Sequence, residues 1–89
     1  MLAQKGQLGT AVEKLRQATR EAPHNPRVAM NAAWVMLRLM EAEGLDHDLY
    51  NEVEELLATA ERLAPGHTRL PGLQGKLREV KRRFGIQRH

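Results

Sequence analysis

The chain has 89 residues and a formal net charge of +3, and its length is enough for one small domain with a limited core. It contains no cysteine, which excludes a disulfide framework and thiolate chemistry. It has no apolar run of about 18 residues, which excludes a membrane-spanning helix. Its first residues, MLAQKGQLG, lack the apolar centre of a signal peptide. We therefore expect a cytoplasmic protein.

The composition favours helices, because Ala, Leu, Glu, Arg and Lys dominate and β-branched residues are scarce. The charges are segregated along the chain. Residues 1–40 hold six Lys/Arg and two Glu, residues 41–61 hold eight acids and no Lys or Arg, and residues 62–89 hold eight Lys/Arg and one acid. Blocks of opposite sign predict either pairing between neighbouring elements or two differently charged faces.

The first predicted helix runs from about Gln7 to Ala22. Its apolar residues recur at steps of three and four, as one face of an amphipathic helix requires: Leu8, Ala11, Val12, Leu15, Ala18 and Ala22. Pro23 ends it, because proline disfavours helical geometry in the residue before it and cannot donate to the helix ladder.

The second predicted helix begins at Asn25-Pro26, where Asn suits the N-cap and Pro suits the first helical position. Apolar residues occupy nearly its whole circumference, which predicts burial on more than one side. We expect it to end at Ala42 or Glu43, with Gly44 as the stop.

A third helix is expected after a cap at Asp46 or Asp48 and before Pro65-Gly66. Its apolar stripe is Leu49, Val53, Leu56, Leu57, Ala60, Leu63 and Ala64. A fourth helix begins between Arg69 and Pro71, and its apolar residues are Leu70, Leu73, Leu77, Val80 and Phe84. Four helices joined by short turns predict an all-α protein built of antiparallel hairpins.

Helices one and three repeat one pattern at a shift of 42 residues. The residues that coincide are Leu8 with Tyr50, Ala11 with Val53, Leu15 with Leu57, Ala18 with Ala60, Arg20 with Arg62, Ala22 with Ala64 and Pro23 with Pro65. Arg27 and Arg69 coincide just beyond. This register of small residues, a bulky residue and a terminating Pro resembles the second helix of the tetratricopeptide repeat.

The resemblance covers about residues 6–84 and implies antiparallel helical hairpins stacked as a short right-handed superhelix of about four helices. It divides the chain into a partial repeat (1–25), an extended repeat (26–67), a C-terminal capping helix (68–85) and a tail (86–89). Gly6 would lie at the turn between the two helices of the first unit. The alternative is a generic helical bundle.

Two features depart from the repeat. The period is 42 residues rather than about 34, which predicts a longer helix or turn in the second unit. The first unit lacks its opening helix, and the aromatic positions of the motif's first helix are lost. We therefore expect a fragment of a longer protein or an open-ended array.

The resemblance implies a non-enzymatic protein-interaction module whose concave face binds a peptide or partner surface. The groove-facing residues would come from the second helix: Arg27, Met30, Asn31, Trp34, Leu37 and Arg38. Arg27 and Asn31 share a face, as in members that clamp a terminal carboxylate, although Asn31 is better explained by structural hydrogen bonds. Trp34 is either an interface anchor or, in the interpretation we favour, a residue that packs in the core or against the missing preceding helix.

The basic end of the chain offers a second function class. Lys76, Lys81, Arg82 and Arg83 form a candidate basic patch for nucleic acid, although no groove-reading motif or aromatic platform accompanies it. The polar outer face of a capping helix explains these charges as well, and we expect part of them to pair with the acidic third helix. A third possibility is self-association through an apolar exposed end of the stack.

Catalytic and cofactor chemistry finds no support in the sequence. The four histidines, at positions 24, 47, 67 and 89, form no pair with metal-ligand spacing. The acids of Asp46-His47-Asp48 are explained by helix capping, and no glycine-rich phosphate loop follows a strand. We therefore expect no enzyme activity, no cofactor and no metal.

Overall fold

A computed structural model of the chain describes the backbone of residues 2–84 and the side chains of residues 8–84. This part of the chain forms four α-helices: α1 (Leu2–Glu21), α2 (Pro26–Glu43), α3 (His47–Leu63) and α4 (Arg69–Arg83). The predicted all-α class is confirmed, with the four helices packed antiparallel. The predicted tail at 86–89 lies outside the described residues.

The predicted boundaries of α2 are confirmed. The Asn25 side chain accepts hydrogen bonds from the backbone N–H groups of Arg27, at 3.0 Å, and Val28, at 3.3 Å. Pro26 follows as the first helical residue. Gly44 ends the helix with a φ of 104°, in a region that favours glycine.

Asp46 is the N-cap of α3, which is one of the two residues predicted for this role. Asp46 accepts hydrogen bonds from the backbone N–H groups of Asp48, at 2.9 Å, and Leu49, at 3.1 Å. At the start of α4, the residue in the cap position is Thr68, and its side chain makes no capping hydrogen bond. The Nδ1 atom of His67 accepts a hydrogen bond from the Arg69 backbone N–H at 3.1 Å.

The predicted start of α1 was wrong. The helix begins at Leu2 and continues through Gly6 and Gly9, so Gly6 does not form a turn between helices. Glycine weakens a helix by about 1 kcal/mol relative to alanine, but it does not end one unless a second signal is present. Neither a proline nor a capping side chain precedes Leu8 to supply that signal.

The extra length of the 42-residue period lies in the helices. α2 has 18 residues and α3 has 17, while the turn between them spans only residues 44–46. The longer-turn alternative for the second unit is therefore not observed.

α2 is the central helix of the fold. It packs against α1, α3 and α4, and α4 also packs against α3. The core therefore surrounds α2, which is buried on more than one side, as predicted. The buried residues are Val12, Ala29, Met30, Ala32, Ala33, Met36, Leu37, Met40, Leu49, Val53, Leu57, Ala60, Leu70, Leu73 and Val80.

The four helices form a compact globule. The radius of gyration is 12.8 Å, close to the value of about 12 Å expected for a compact chain of this length. Within residues 2–84, no helix is both long enough and apolar enough to cross a lipid bilayer.

Two ion pairs join different helices in the described part of the chain. Arg16 of α1 donates from Nε, at 2.9 Å, and Nη2, at 2.8 Å, to the two carboxylate oxygens of Glu52 on α3. Lys76 of α4 donates to Glu41 of α2 at 2.9 Å. Both pairs join the acidic block 41–61 to a basic block, as the charge segregation predicts. However, the partner of Lys76 lies on α2 rather than on α3.

Candidate partner-binding face

The structure divides the six residues predicted for the groove into two groups. Arg27, Asn31, Trp34 and Arg38 are exposed, whereas Met30 and Leu37 are fully buried, each with 0% exposure. Met30 and Leu37 are therefore corrected to core residues, which a partner docked on the surface does not reach. The partner-binding role of the exposed residues stays a prediction.

Helix geometry explains this division. At about 100° per residue, Arg27, Asn31, Trp34 and Arg38 fall within an arc of about 60° on α2. Viewed down the helix axis, Met30 lies about 60° from Arg27 and Leu37 about 80° from it, both in the direction opposite to Asn31. Both side chains therefore point toward the core. The exposed arc is the outer edge of a helix that is otherwise covered by its three neighbours.

Trp34 is one of two large exposed hydrophobic residues among residues 8–84. Its exposure is 39%, and the other, Phe84, has 36%. The interpretation that placed Trp34 in the core is therefore wrong, whereas its packing against a preceding helix of the array stays a prediction. The guanidinium carbon of Arg38 lies 5.1 Å from the centroid of the Trp34 ring, within the range of a cation–π interaction. The indole is thus held by a cation and remains partly open to solvent.

A shallow cleft of about 350 Å³ lies beside Trp34, between α2 and α4. Its α4 wall consists of Arg69, Gly72, Leu73 and Lys76, with Thr68 just before the helix. None of these residues was predicted as part of the partner-binding face, and Lys76 was assigned to the basic patch. The signal that could have found Arg69 was present in the repeat register, since Arg69 occupies the position of Arg27 one period later.

Two polar contacts tie α2 and α4 together along this face. The Nη1 atom of Arg69 donates to the side-chain oxygen of Asn31 at 2.8 Å, and Lys76 pairs with Glu41. Asn31 thus makes a structural hydrogen bond, the alternative that the sequence favoured over a carboxylate clamp. We name the exposed surface formed by Arg27, Asn31, Trp34, Arg38, Thr68, Arg69, Gly72 and Lys76 the α2/α4 face.

The predicted basic patch is not one cluster. Lys76 lies in the α2/α4 cleft, whereas Lys81, Arg82 and Arg83 occupy the exposed last turn of α4. Arg82 lies 3.9 Å from Glu79, and the Arg83 guanidinium carbon lies 5.7 Å from the Phe84 ring centroid. A nucleic-acid role for these residues stays a prediction.

A second groove separates α3 from α4. Its floor includes Tyr50, Leu57 and Leu77. Partial burial raises the pKa of the Tyr50 hydroxyl above its ordinary value, and the nearby Glu54 carboxylate raises it further. The neutral phenol is therefore favoured at this position.

Two further sequence-based hypotheses can be compared with the described residues. Neither of the large exposed hydrophobic side chains in residues 8–84 lies on α1, and self-association through an apolar end of the stack stays a prediction. Across the same range, no group of three or more His, Cys, Asp or Glu side chains is arranged to hold a metal ion.

Comparison of the chain with protein-family models, curated proteins and solved structures finds no match. The fold and geometry described above therefore define it as a small four-helix all-α domain without a family assignment.

Proposed function

We propose that the chain is a non-enzymatic, tetratricopeptide-like interaction module, acting in the cytoplasm, that binds a peptide or partner surface on its α2/α4 face. The observation that carries this proposal is Trp34. Few large apolar side chains are exposed in the described part of the chain, and Trp34 borders a cleft. Tryptophan is enriched among the residues that dominate binding energy in protein interfaces.

The order of helix contacts supports the repeat part of the proposal. In a stack of helical hairpins, each first helix packs against its own second helix, the preceding second helix and the following first helix. α2 has these three neighbours, namely α3, α1 and α4. The α2/α4 face is then formed by two successive first helices, which line the concave surface of such a stack.

Peptide display against the purified chain tests the binding function. We expect enriched peptides to bind the wild-type protein and to lose about 2 kcal/mol of binding free energy with Trp34→Ala, the minimum for an interface hot spot. Isothermal titration calorimetry gives the affinities, and circular dichroism verifies that each variant is folded.

Arg38→Ala and Arg20→Ala form a matched pair for the same experiment. Both arginines are exposed, but Arg38 lies over the Trp34 ring on the α2/α4 face, whereas Arg20 lies on α1, outside that face. The proposal predicts weaker binding for Arg38→Ala and unchanged binding for Arg20→Ala. Peptides whose affinity is the same for wild type, Trp34→Ala and Arg38→Ala would show that this face is not the binding site.

A further inference from the structure

The cations of the α2/α4 face differ in how far their charges are compensated. Lys76 pairs with the carboxylate of Glu41. Arg69 bonds instead to Asn31, whose neutral side chain leaves the guanidinium charge uncompensated. Arg38 lies over the Trp34 ring, which orients its guanidinium without neutralising it.

Arg27 and Arg38 lie on the same exposed arc of α2 as Trp34, and Arg69 of α4 reaches that arc at Asn31, so three guanidinium groups lie along this face. Among the described residues none of the three has an ion-pair partner. Each guanidinium presents five N–H donors in a planar fork that matches a carboxylate. Such a group gains most from a carboxylate supplied by another molecule.

α3 holds five of the eleven acidic residues of the chain, more than any other helix. α3 contains Asp48, Glu52, Glu54, Glu55 and Glu61, and it does not contribute to the lining of the α2/α4 cleft. The α2/α4 face thus carries three arginines without an ion-pair partner among the described residues, while α3 carries an excess of negative charge. Such a separation of charge orients an anionic partner before contact and raises its association rate.

We propose that the occupant of the α2/α4 face is an acidic peptide segment, with side-chain carboxylates on both sides of one apolar side chain. The apolar side chain packs on Trp34 and Leu73, and the carboxylates bind Arg27, Arg38 and Arg69. This inference rests on the proposed function and adds the chemistry of the partner to it.

A peptide fits these observations better than a nucleic acid. A nucleic-acid strand needs a continuous basic track along its backbone, together with stacking surfaces for successive bases. Here the exposed arc of α2 offers a single indole for stacking, and the basic last turn of α4 is not part of the cleft lining. The cleft, at about 350 Å³, also has an apolar side chain, Leu73, in its wall.

Three short fluorescent peptides test the proposal. Each has an acetylated N-terminus, an amidated C-terminus and one central Leu, which is flanked by Glu, by Lys or by Gln residues. Fluorescence anisotropy measures their dissociation constants at low and high salt. We expect the Glu peptide to bind most tightly and to weaken with salt, since exposed charges are screened within about 10 Å at 0.1 M.

Variants identify the residues responsible for binding. For the Glu peptide, we expect Trp34→Ala to weaken binding about 30-fold. We expect Arg38→Ala and Arg69→Ala each to weaken it up to about fivefold. Arg82→Ala, in the exposed last turn of α4, is the matched control and should leave the affinity unchanged. Circular dichroism and urea unfolding of each variant separate loss of binding from loss of fold.

Several results would overturn the proposal. Equal binding of the Glu and Gln peptides would remove the acidic requirement, while Trp34-dependent binding of both would leave the interaction function intact. Tighter binding of the Lys peptide, or no binding of the Glu peptide, would also reject it. The peptide display experiment would then test, independently of peptide charge, whether the α2/α4 face binds a partner.

Two further arms separate alternative anionic ligands. A Glu peptide that binds only with a free C-terminal carboxylate would point to a terminal clamp and reject side-chain recognition. A single-stranded oligonucleotide that binds more tightly than the Glu peptide, and that loses affinity with Arg82→Ala, would identify a nucleic-acid surface instead.

Discussion

Replacing Leu37 with alanine tests the division of α2 into a core side and a binding side. Leu37 is fully buried in the helix that contacts all three others. The change removes three buried carbon groups, which costs about 2.4 kcal/mol at about 0.8 kcal/mol each. The cavity left behind increases the loss, so we expect the free energy of unfolding to fall by about 3–5 kcal/mol.

Urea unfolding measures this loss, with circular dichroism following helix content and Trp34 fluorescence following tertiary structure. A domain of 89 residues has a total stability of about 4–13 kcal/mol, so the variant should be near its limit of stability. With an m-value of about 1 kcal/mol/M, the urea midpoint should fall by about 3 M.

Leu39→Ala is the matched control, because Leu39 lies on the same helix but is only partly buried. It should cost clearly less than Leu37→Ala. A loss below about 1 kcal/mol for Leu37→Ala would refute the burial argument, since such a loss is typical of surface positions. Equal losses for the two variants would refute it as well.

Three further predictions concern other parts of the fold. A double-mutant cycle of Arg16→Ala and Glu52→Ala should give a coupling energy of about 1 kcal/mol in urea unfolding, because the pair is bidentate and each side chain is only 31% exposed. A coupling near zero would contradict the contact. Asp46→Ala should lower the free energy of unfolding by about 1 kcal/mol in thermal melts, since two backbone N–H groups lose their acceptor. Asp46→Asn, which keeps an acceptor oxygen, should lose much less. Absorbance titration of Tyr50, the one tyrosine, should give a midpoint above the ordinary pKa of about 10, and Glu54→Gln should lower it. Because the folded state holds this proton more tightly than the unfolded state, its contribution to stability is complete below about pH 10 and is lost as pH rises through the raised pKa. Tyr50→Phe should remove that part of the alkaline loss, and a midpoint at or below the ordinary value would contradict the partial burial of the hydroxyl.

The elements of the fold that the sequence predicted well are those with local chemical signals. The ends of α2 and the start of α3 depend on Asn25, Gly44 and Asp46, whose effects act within one helical turn. The start of α1 has no such signal, and Gly6 was mistaken for one. Local rules therefore located the helices wherever capping residues were present.

The repeat resemblance predicted the exposed residues of the candidate site, but it did not predict which of the six residues are buried. Spacing along α2 does not tell which side of the helix its neighbours cover when nearly the whole circumference is apolar. Met30, Leu37 and Trp34 were therefore all assigned to the groove, and the structure separates the first two from the third.

The α4 side of the cleft depends on contacts between residues distant in sequence. Asn31 and Arg69 are 38 positions apart, and Glu41 and Lys76 are 35 apart. Periodicity within one helix contains no information about such pairs. Only the register between Arg27 and Arg69 pointed toward α4, and it did so without indicating a contact with α2.

The attachment of α1 has a consequence for how the domain opens. Among the described side chains of α1, Val12 is the one that is buried, with 3% exposure. The helix packs against α2, and the Arg16–Glu52 ion pair links it to α3. Proteins exchange their amide protons through local openings whose free energies follow such differences in packing. An opening of α1 alone would break its packing against α2 and the Arg16–Glu52 ion pair, and it would leave the contacts among α2, α3 and α4 in place. That partly open form would uncover one flank of the central helix and leave the α2/α4 face assembled.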